Sequence, residues 1–228
     1  LEAGILPGDI ITAADGVPMS PEVDPRVPIT GEAGTHLTLT VNRNGQVLEF
    51  ALVRRAVNIP IVTYDQVGNA GVIDCISFGS TTAQSIQEAI RELDDDTAVW
   101  IVDLRSNPGG DSGATATSAS LFTGDGIMLY FRNGAGQYNY SYTMPGFPHM
   151  TDKPVIVLTS EHSASGSELF AGDIRTYKAG IALGQRSFGK GTAQIIVDET
   201  NSTVMKDGEA MKITAYRFFS PDGATNHI

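Results

Sequence analysis

Cysteine is nearly missing from this sequence: Cys75 is the single example in 228 residues. No internal disulfide can close and no cysteine-rich metal site can form. A chain exported to an oxidising compartment can do without disulfides, so the redox compartment stays open. Positive charge is also short. Lys and Arg number 15 against 26 Asp and Glu, a formal net charge of −11. Such a balance argues against a nucleic-acid surface, which needs a basic stripe to displace counterions from phosphate. No apolar run approaches the ~20 residues needed to span a bilayer, and no signal-peptide pattern opens the chain. Histidine is scarce too. His36, His149, His162 and His227 are all there is, and only His162 lies near a serine motif, three residues before Ser165.

What is present fits an ordinary globular protein, 41% hydrophobic and 18% charged. Residues 1–55 read as short strands and turns. Pro7-Gly8-Asp9 precedes an apolar Ile10-Ile11, Asp15-Gly16 and Asn44-Gly45 are hairpin dipeptides, and Leu37 to Val41 alternates with threonine as a half-buried strand does. The Pro-rich stretch from Pro18 to Pro28 is expected to be loop.

From Val57 onward strands alternate with helices. Ala70 to Ile76 predicts a strand. Ile86, Ala89, Ile90 and Leu93 stand at i, i+3, i+4 and i+7, an amphipathic helix. Asp94 to Asp96 reads as a solvated loop. Ala98 to Leu104, broken only by Asp103, has the continuous apolar character of a strand buried on both faces. A helix is expected from about Gly113 to Phe122, a hairpin from Gly126 to Tyr142, a buried strand at Val155 to Leu158 and a helix from Gly166 to Tyr177. Strands at Ile181 to Leu183, Ala193 to Val197 and Met211 to Phe218 follow. The alternation predicts an α/β domain built on a layered sheet.

Three segments have residues suited to chemistry. His162-Ser163-Ala164-Ser165-Gly166-Ser167-Glu168 follows a strand and opens a helix. A nucleophile placed there gains the helix dipole and the free N–H groups of the first turn. Ser165-x-x-Glu168 is equally a capping box, and the usual hydrolase elbow is absent because Ser163 stands where its first glycine would be. Gly184 to Thr192 nearly spells a phosphate-binding loop, but Gly191 follows Lys190 where the magnesium-holding hydroxyl belongs. A strand is also predicted after it, where a phosphate loop needs a helix. Asp103-Leu104-Arg105-Ser106-Asn107-Pro108-Gly109-Gly110 ends a strand in consecutive glycines, which serves either a plain tight turn or close approach of backbone N–H groups to a ligand.

Taken together, Ser163 to Glu168, Phe188 to Gly191 and Asp103 to Gly110 resemble the three ordered motifs of the carboxyl-terminal processing, or tail-specific, serine peptidases. The late Ala-Tyr-Arg-Phe-Phe-Ser-Pro-Asp-Gly run resembles that family's closing strand and turn. The resemblance covers residues 70 to 222. The opening Ala3 to Ile11 resembles the second half of a PDZ domain, whose first half has no counterpart here.

The resemblance implies a fold class and a site. The fold is α/β, a spiral β-sheet core with flanking helices like that of crotonases and Clp-type proteases, over residues 56–228. A partial β-rich PDZ module precedes it over residues 1–55. Ser165 is implied as nucleophile and Lys190 as general base, 25 residues on, with Gln194 orienting the lysine. The N–H groups of Gly166 and of Gly109 or Gly110 make the oxyanion hole, and Glu168 and Ser187 support the site. A lysine works as a base near neutral pH only where its ammonium form is destabilised, and the small or apolar neighbours Phe188, Gly189, Gly191 and Ala193 are compatible with that.

The family often has an Asp eleven positions after the nucleophile. Thr176 stands there in this sequence, with Asp173 one turn earlier. Gly166 replaces a commoner Ala, a change expected to be harmless. No metal or cofactor is called for. The implied partners are proteins or peptides with flexible C-termini, a homo-oligomer is compatible, and the implied location is the bacterial cell envelope or periplasm. Two rivals remain open: a non-catalytic peptide-binding or scaffold relative, and a small-molecule esterase or amidase.

Overall fold

The structure is a computed structural model, and it describes residues 3–21, 24, 26–56, 60–142 and 147–225. His227 lies outside them. The chain forms two compact units, Leu1–Ile59 and Pro60–Ile228.

In the first unit, strands β1 (Ile10–Ala14), β2 (Val17–Pro18), β3 (His36–Arg43) and β4 (Gln46–Val53) form one antiparallel sheet in the order β2-β1-β3-β4. Both hairpin dipeptides behave as their chemistry dictates. Asp15 and Gly16 have φ of 48° and 76°, and Asn44 and Gly45 have 52° and 89°, the paired positive φ that matches a tight turn to the strand twist. The Leu/Thr alternation on β3 buries Leu37, Leu39 and Val41. Asp9, after the first turn, takes two hydrogen bonds from the Arg43 guanidinium at 2.7 Å each. Those bonds, with one from the Leu6 N–H, hold the Asp9 carboxyl down at about 2. The Pro18–Pro28 stretch is not all loop, because Arg26–Ile29 forms a helical turn, α1. Pro28 is tolerated there because the first-turn N–H groups of a helix have no intrahelical acceptor.

The second unit holds two sheets. Strands β5 (Val62–Val67), β6 (Ala70–Cys75), β7 (Val99–Asp103), β10 (Val155–Thr159) and β11 (Gly180–Gly184) make the first, in the order β11-β10-β7-β6-β5. Its strands are parallel except for β5. Strands β8 (Ile127–Asn133), β9 (Tyr138–Tyr142), β12 (Thr192–Asp198) and β13 (Ala210–Phe219) make an antiparallel sheet ordered β12-β13-β8-β9. Helices α2 (Thr82–Leu93), α3 (Ser112–Thr123) and α4 (Gly166–Thr176) complete the unit. β5 had no separate signal in the sequence: between Val62 and Val67 only Tyr64 is apolar, and it packs against the core. No helix is long and apolar enough to cross a membrane among the described residues.

The core is aromatic where the layers meet. Trp100 lies edge-on to Phe122, and Phe122 edge-on to Phe170, at 6.3 and 6.1 Å between centroids. Asp94, expected in a solvated loop, instead begins a 3-10 turn and accepts the Trp100 indole N–H at 3.0 Å. It also pairs with Lys153 at 3.0 Å. A buried indole needs an acceptor, and the carboxylate at the strand's entrance supplies it. Helix α3 buries Thr115, Thr117, Ser118 and Ser120. Their hydroxyls donate back to carbonyls three or four residues earlier, so a polar sequence packs as an apolar one would.

Parallel strands β7, β10 and β11 all end on the same side of their sheet. Their C-terminal loops therefore emerge together, the placement in which open α/β sheets bind ligands.

On α4, Asp173 is fully buried, and neither carboxylate oxygen has a hydrogen-bond partner among the described residues. Burial, with the charge of Asp222 nearby, raises its pKa well above 3.8. The folded state thus holds a proton that the unfolded chain releases, so stability falls as pH rises from about 3.8 through the raised value and then levels off. Thermal melts of wild type and Asp173→Asn across that range should show the variant gaining on wild type as pH climbs. A constant difference would exclude the proton.

Candidate active site

The loop after β7 is organised by Asn107, which is completely buried. Its Nδ2 donates to the Cys75 carbonyl at 2.9 Å, and its Oδ1 accepts the Gly109 N–H at 2.8 Å. Its backbone carbonyl accepts the Ser167 hydroxyl at 2.8 Å and the Ala164 N–H at 3.2 Å. Cys75 is enclosed beside it, and burial pushes its thiol up to about 12. On the other side of Asn107, Gly109 and Gly110 have φ of 102° and 152°. A Cβ on Gly109 would stand 2.7 Å from the Ala164 carbonyl and 2.8 Å from the Gly166 nitrogen. On Gly110 it would collide with the Phe78 carbonyl. The two glycines let one backbone lie directly against the other.

The chain running from the loop after β10 into α4 has three serines in alternation, Ser163, Ser165 and Ser167. Ser163 and Ser167 are buried pegs: the Ser163 hydroxyl donates to the Leu104 carbonyl at 2.7 Å, and Ser167 to Asn107 as above. Ser165 sits between them at the N-cap of α4 with φ 56° and ψ −112°. For a residue with a Cβ this is a strained backbone, held by the fixed neighbours on either side.

Ser165 and Glu168 form a capping box in which both halves are present. Glu168 Oε2 accepts the Ser165 N–H at 2.8 Å, and the Glu168 N–H, which faces the Ser165 side chain, also donates to the Ser165 carbonyl at 3.0 Å. Glu168 is 2% exposed and does more than cap. Its Oε1 accepts the Ser187 hydroxyl and the Gly189 N–H, both at 2.7 Å, and its Oε2 also accepts the Lys190 N–H at 2.9 Å. The Phe188 N–H donates to the Ser163 carbonyl at 2.9 Å. One carboxylate therefore joins the loop after β10 to the loop after β11. That second loop leads into strand β12, as the departure from a phosphate-binding loop predicts.

These contacts bring Ser165, Gly166, Gly110, Lys190 and Gln194 into the lining of a single cavity of about 380 Å³. Gly109 is absent from the lining, and its N–H is already taken by Asn107. Gln194 Nε2 donates to Thr214 Oγ1 across the β12–β13 pair at 3.4 Å. His162 points elsewhere: its side chain is 74% exposed and lies 3.9 Å from Glu161. Glycine at 166 is not interchangeable with alanine in this chain. A Cβ there would meet Thr115 Oγ1 at 2.6 Å, and the short, β-branched threonine has little room to yield.

Some of the residues that build the site had no signature in the sequence. Asn107 lay inside a motif without marking itself as its organiser. Ile196 and Lys212 face the cavity because they pair across β12 and β13, a register no local pattern encodes.

A family model described as Peptidase family S41 matches residues 69–227. A carboxy-terminal-processing protease of Bartonella bacilliformis is 31% identical over 236 residues, covering 98% of this chain and 52% of that protein. A serine protease of Staphylococcus epidermidis described as CtpA-like is 30% identical over 233 residues, covering 99% of this chain and 46% of that protein. The chain thus spans about half the length of the curated relatives it matches. The solved structure of a photosystem II D1 C-terminal processing protease superposes with a TM-score of 0.68 at 26% identity, covering 99% of this chain and 62% of that one.

The Ser165, Gly189 and Lys190 N–H groups and the Ser187 hydroxyl all donate to the Glu168 carboxylate, so Glu168→Gln would turn an amide NH₂ toward two of these donors. The expected cost is about 2–4 kcal/mol of stability, read from urea unfolding. A variant as stable as wild type would mean that the clamp is dispensable.

Proposed function

This chain belongs to peptidase family S41, and from that premise we propose that it is the catalytic part of a serine endopeptidase in which Ser165 is the nucleophile and Lys190 the general base. The observation that carries the reading is the convergence of Ser165, Lys190, Gly110 and Gly166 on one cavity, with Glu168 fixing the backbone at both ends of the pair.

In the proposed mechanism Lys190, as the free amine, takes the Ser165 hydroxyl proton while Oγ attacks a peptide carbonyl. The carbonyl oxygen becomes an oxyanion. Gly166, at the first helical position, has an N–H without an intrahelical acceptor, and Gly110 offers the second donor. A donor of this kind is worth about 3 kcal/mol of barrier. The Lys190 ammonium returns the proton to the leaving amine, the C–N bond breaks and an acyl-enzyme remains. Water then attacks the acyl group, giving its proton to Lys190, and collapse returns that proton to Ser165 and releases the new carboxylic acid. Gln194, on the cavity wall beside Lys190, orients the lysine in this reading. Ser187 and Glu168 hold the loop that carries it.

The substrates in this reading are proteins with unstructured C-terminal tails. The unit Leu1–Ile59, a four-stranded antiparallel sheet, is proposed as the second half of a PDZ module that tethers them. An extracytoplasmic location in the bacterial envelope accompanies the proposal and rests on the family resemblance alone.

Cleavage of a flexible-tailed protein should fall by at least about 10³-fold in both Ser165→Ala and Lys190→Ala. His162→Ala should retain most of the activity. A dead histidine variant would replace the lysine mechanism with a Ser–His one. Tail binding by wild type without turnover would favour a scaffold, and turnover of esters alone an esterase.

A further inference from the structure

A second cavity, of about 450 Å³, opens on the antiparallel sheet next to the catalytic one. Thr192 lines both. From Thr192 a single row of directly paired residues crosses the sheet: Thr192 opposite Arg217, Arg217 opposite Arg132, and Arg132 opposite Tyr138. Directly paired residues on antiparallel strands project from the same face. Two guanidinium groups therefore stand side by side, one strand apart, on the wall of one cavity.

That arrangement is unfavourable in isolation, since like charges directly opposite each other weaken a strand pair. Acidic residues outnumber basic ones in the chain by 26 to 15, yet neither arginine has an ion pair among the described residues. Arg132 instead lies over the Tyr138 ring, its Cζ 5.8 Å from the centroid. An aromatic face orients a guanidinium without neutralising it. Two arginines kept adjacent, oriented and unpaired are complementary to an anion, and the planar fork of arginine matches a carboxylate in particular.

We propose that Arg132 and Arg217 form a carboxylate-binding site that holds the substrate polypeptide beside the catalytic cavity. The inference rests on reading that cavity as a peptidase site. Strands are spaced about 4.8 Å apart, so the arginines lie about one and two strand spacings from Thr192. An extended peptide covers that span in about three residues. The site thus holds an anionic group within a few residues of Thr192, on the edge of the catalytic cavity. The carboxylate can come from the free chain end or from an Asp or Glu side chain.

The test uses the full chain carrying Ser165→Ala, so that binding is read without turnover. Fluorescein-labelled apolar peptides are compared by anisotropy in three forms: a free C-terminal carboxylate, a C-terminal amide, and an amide with Asp as the last residue. The parent should bind at least one carboxylate form about tenfold more tightly than the plain amide. Whichever form gains identifies the source of the carboxylate. Arg132→Gln with Arg217→Gln should bring the ratio near one, and the double Lys variant should keep part of it. Arg217→Gln alone should leave the melting temperature level or raised, because it relieves repulsion. A parent without preference, a preference that survives the double Gln variant, or a Gln variant that melts earlier and loses all three peptides alike would overturn the site. Cleavage that persists in Ser165→Ala would overturn the catalytic reading instead, and the binding ratio would still decide the arginines.

Discussion

The buried carboxylate of Glu168 is the constraint on which the catalytic geometry depends. It accepts two backbone N–H groups and a hydroxyl from one loop, and one N–H from another. A buried charge is costly unless fully hydrogen-bonded, so the two loops are held at a separation set by one side chain. Ser165 keeps its strained φ because Glu168 grips its N–H from one side while Ser163 and Ser167 anchor the flanking turns. Lys190 enters the cavity from a loop that the same carboxylate secures.

Asn107 does the corresponding work for the glycine loop. It ties the end of β7 to the Cys75 carbonyl beneath it and to the serine loop beside it. It also takes up the Gly109 N–H, and thereby separates the roles of two adjacent glycines. Gly109 gives close approach of two backbones, whereas Gly110 remains on the cavity wall.

Much of this was legible in the sequence because it is encoded locally. Asp15-Gly16 and Asn44-Gly45 announce their turns, the 3.6-residue period announces α2, and Ser165-x-x-Glu168 announces the start of α4. The capping box does not compete with the proposed role of Ser165, since the Glu168 side chain that caps its N–H also holds the Lys190 N–H. The illegible parts depend on pairing between distant segments. Nothing near Asp94 foretells Lys153, and nothing near Arg132 foretells Arg217. The same holds for Thr115, whose hydroxyl makes alanine a poor replacement for Gly166.

With Ser165 proposed as the nucleophile, its backbone has a bearing on how an inactive form of this protein should be made. Positive φ is strained for any residue with a Cβ and relaxed for glycine. Alanine removes the hydroxyl but keeps the strain, and so preserves the loop in its working shape. Glycine would remove both, freeing the loop to adopt other conformations. Alanine is accordingly the substitution for capturing a bound polypeptide, and a glycine variant that outlasts the parent on heating would reveal how much stability the working shape forgoes.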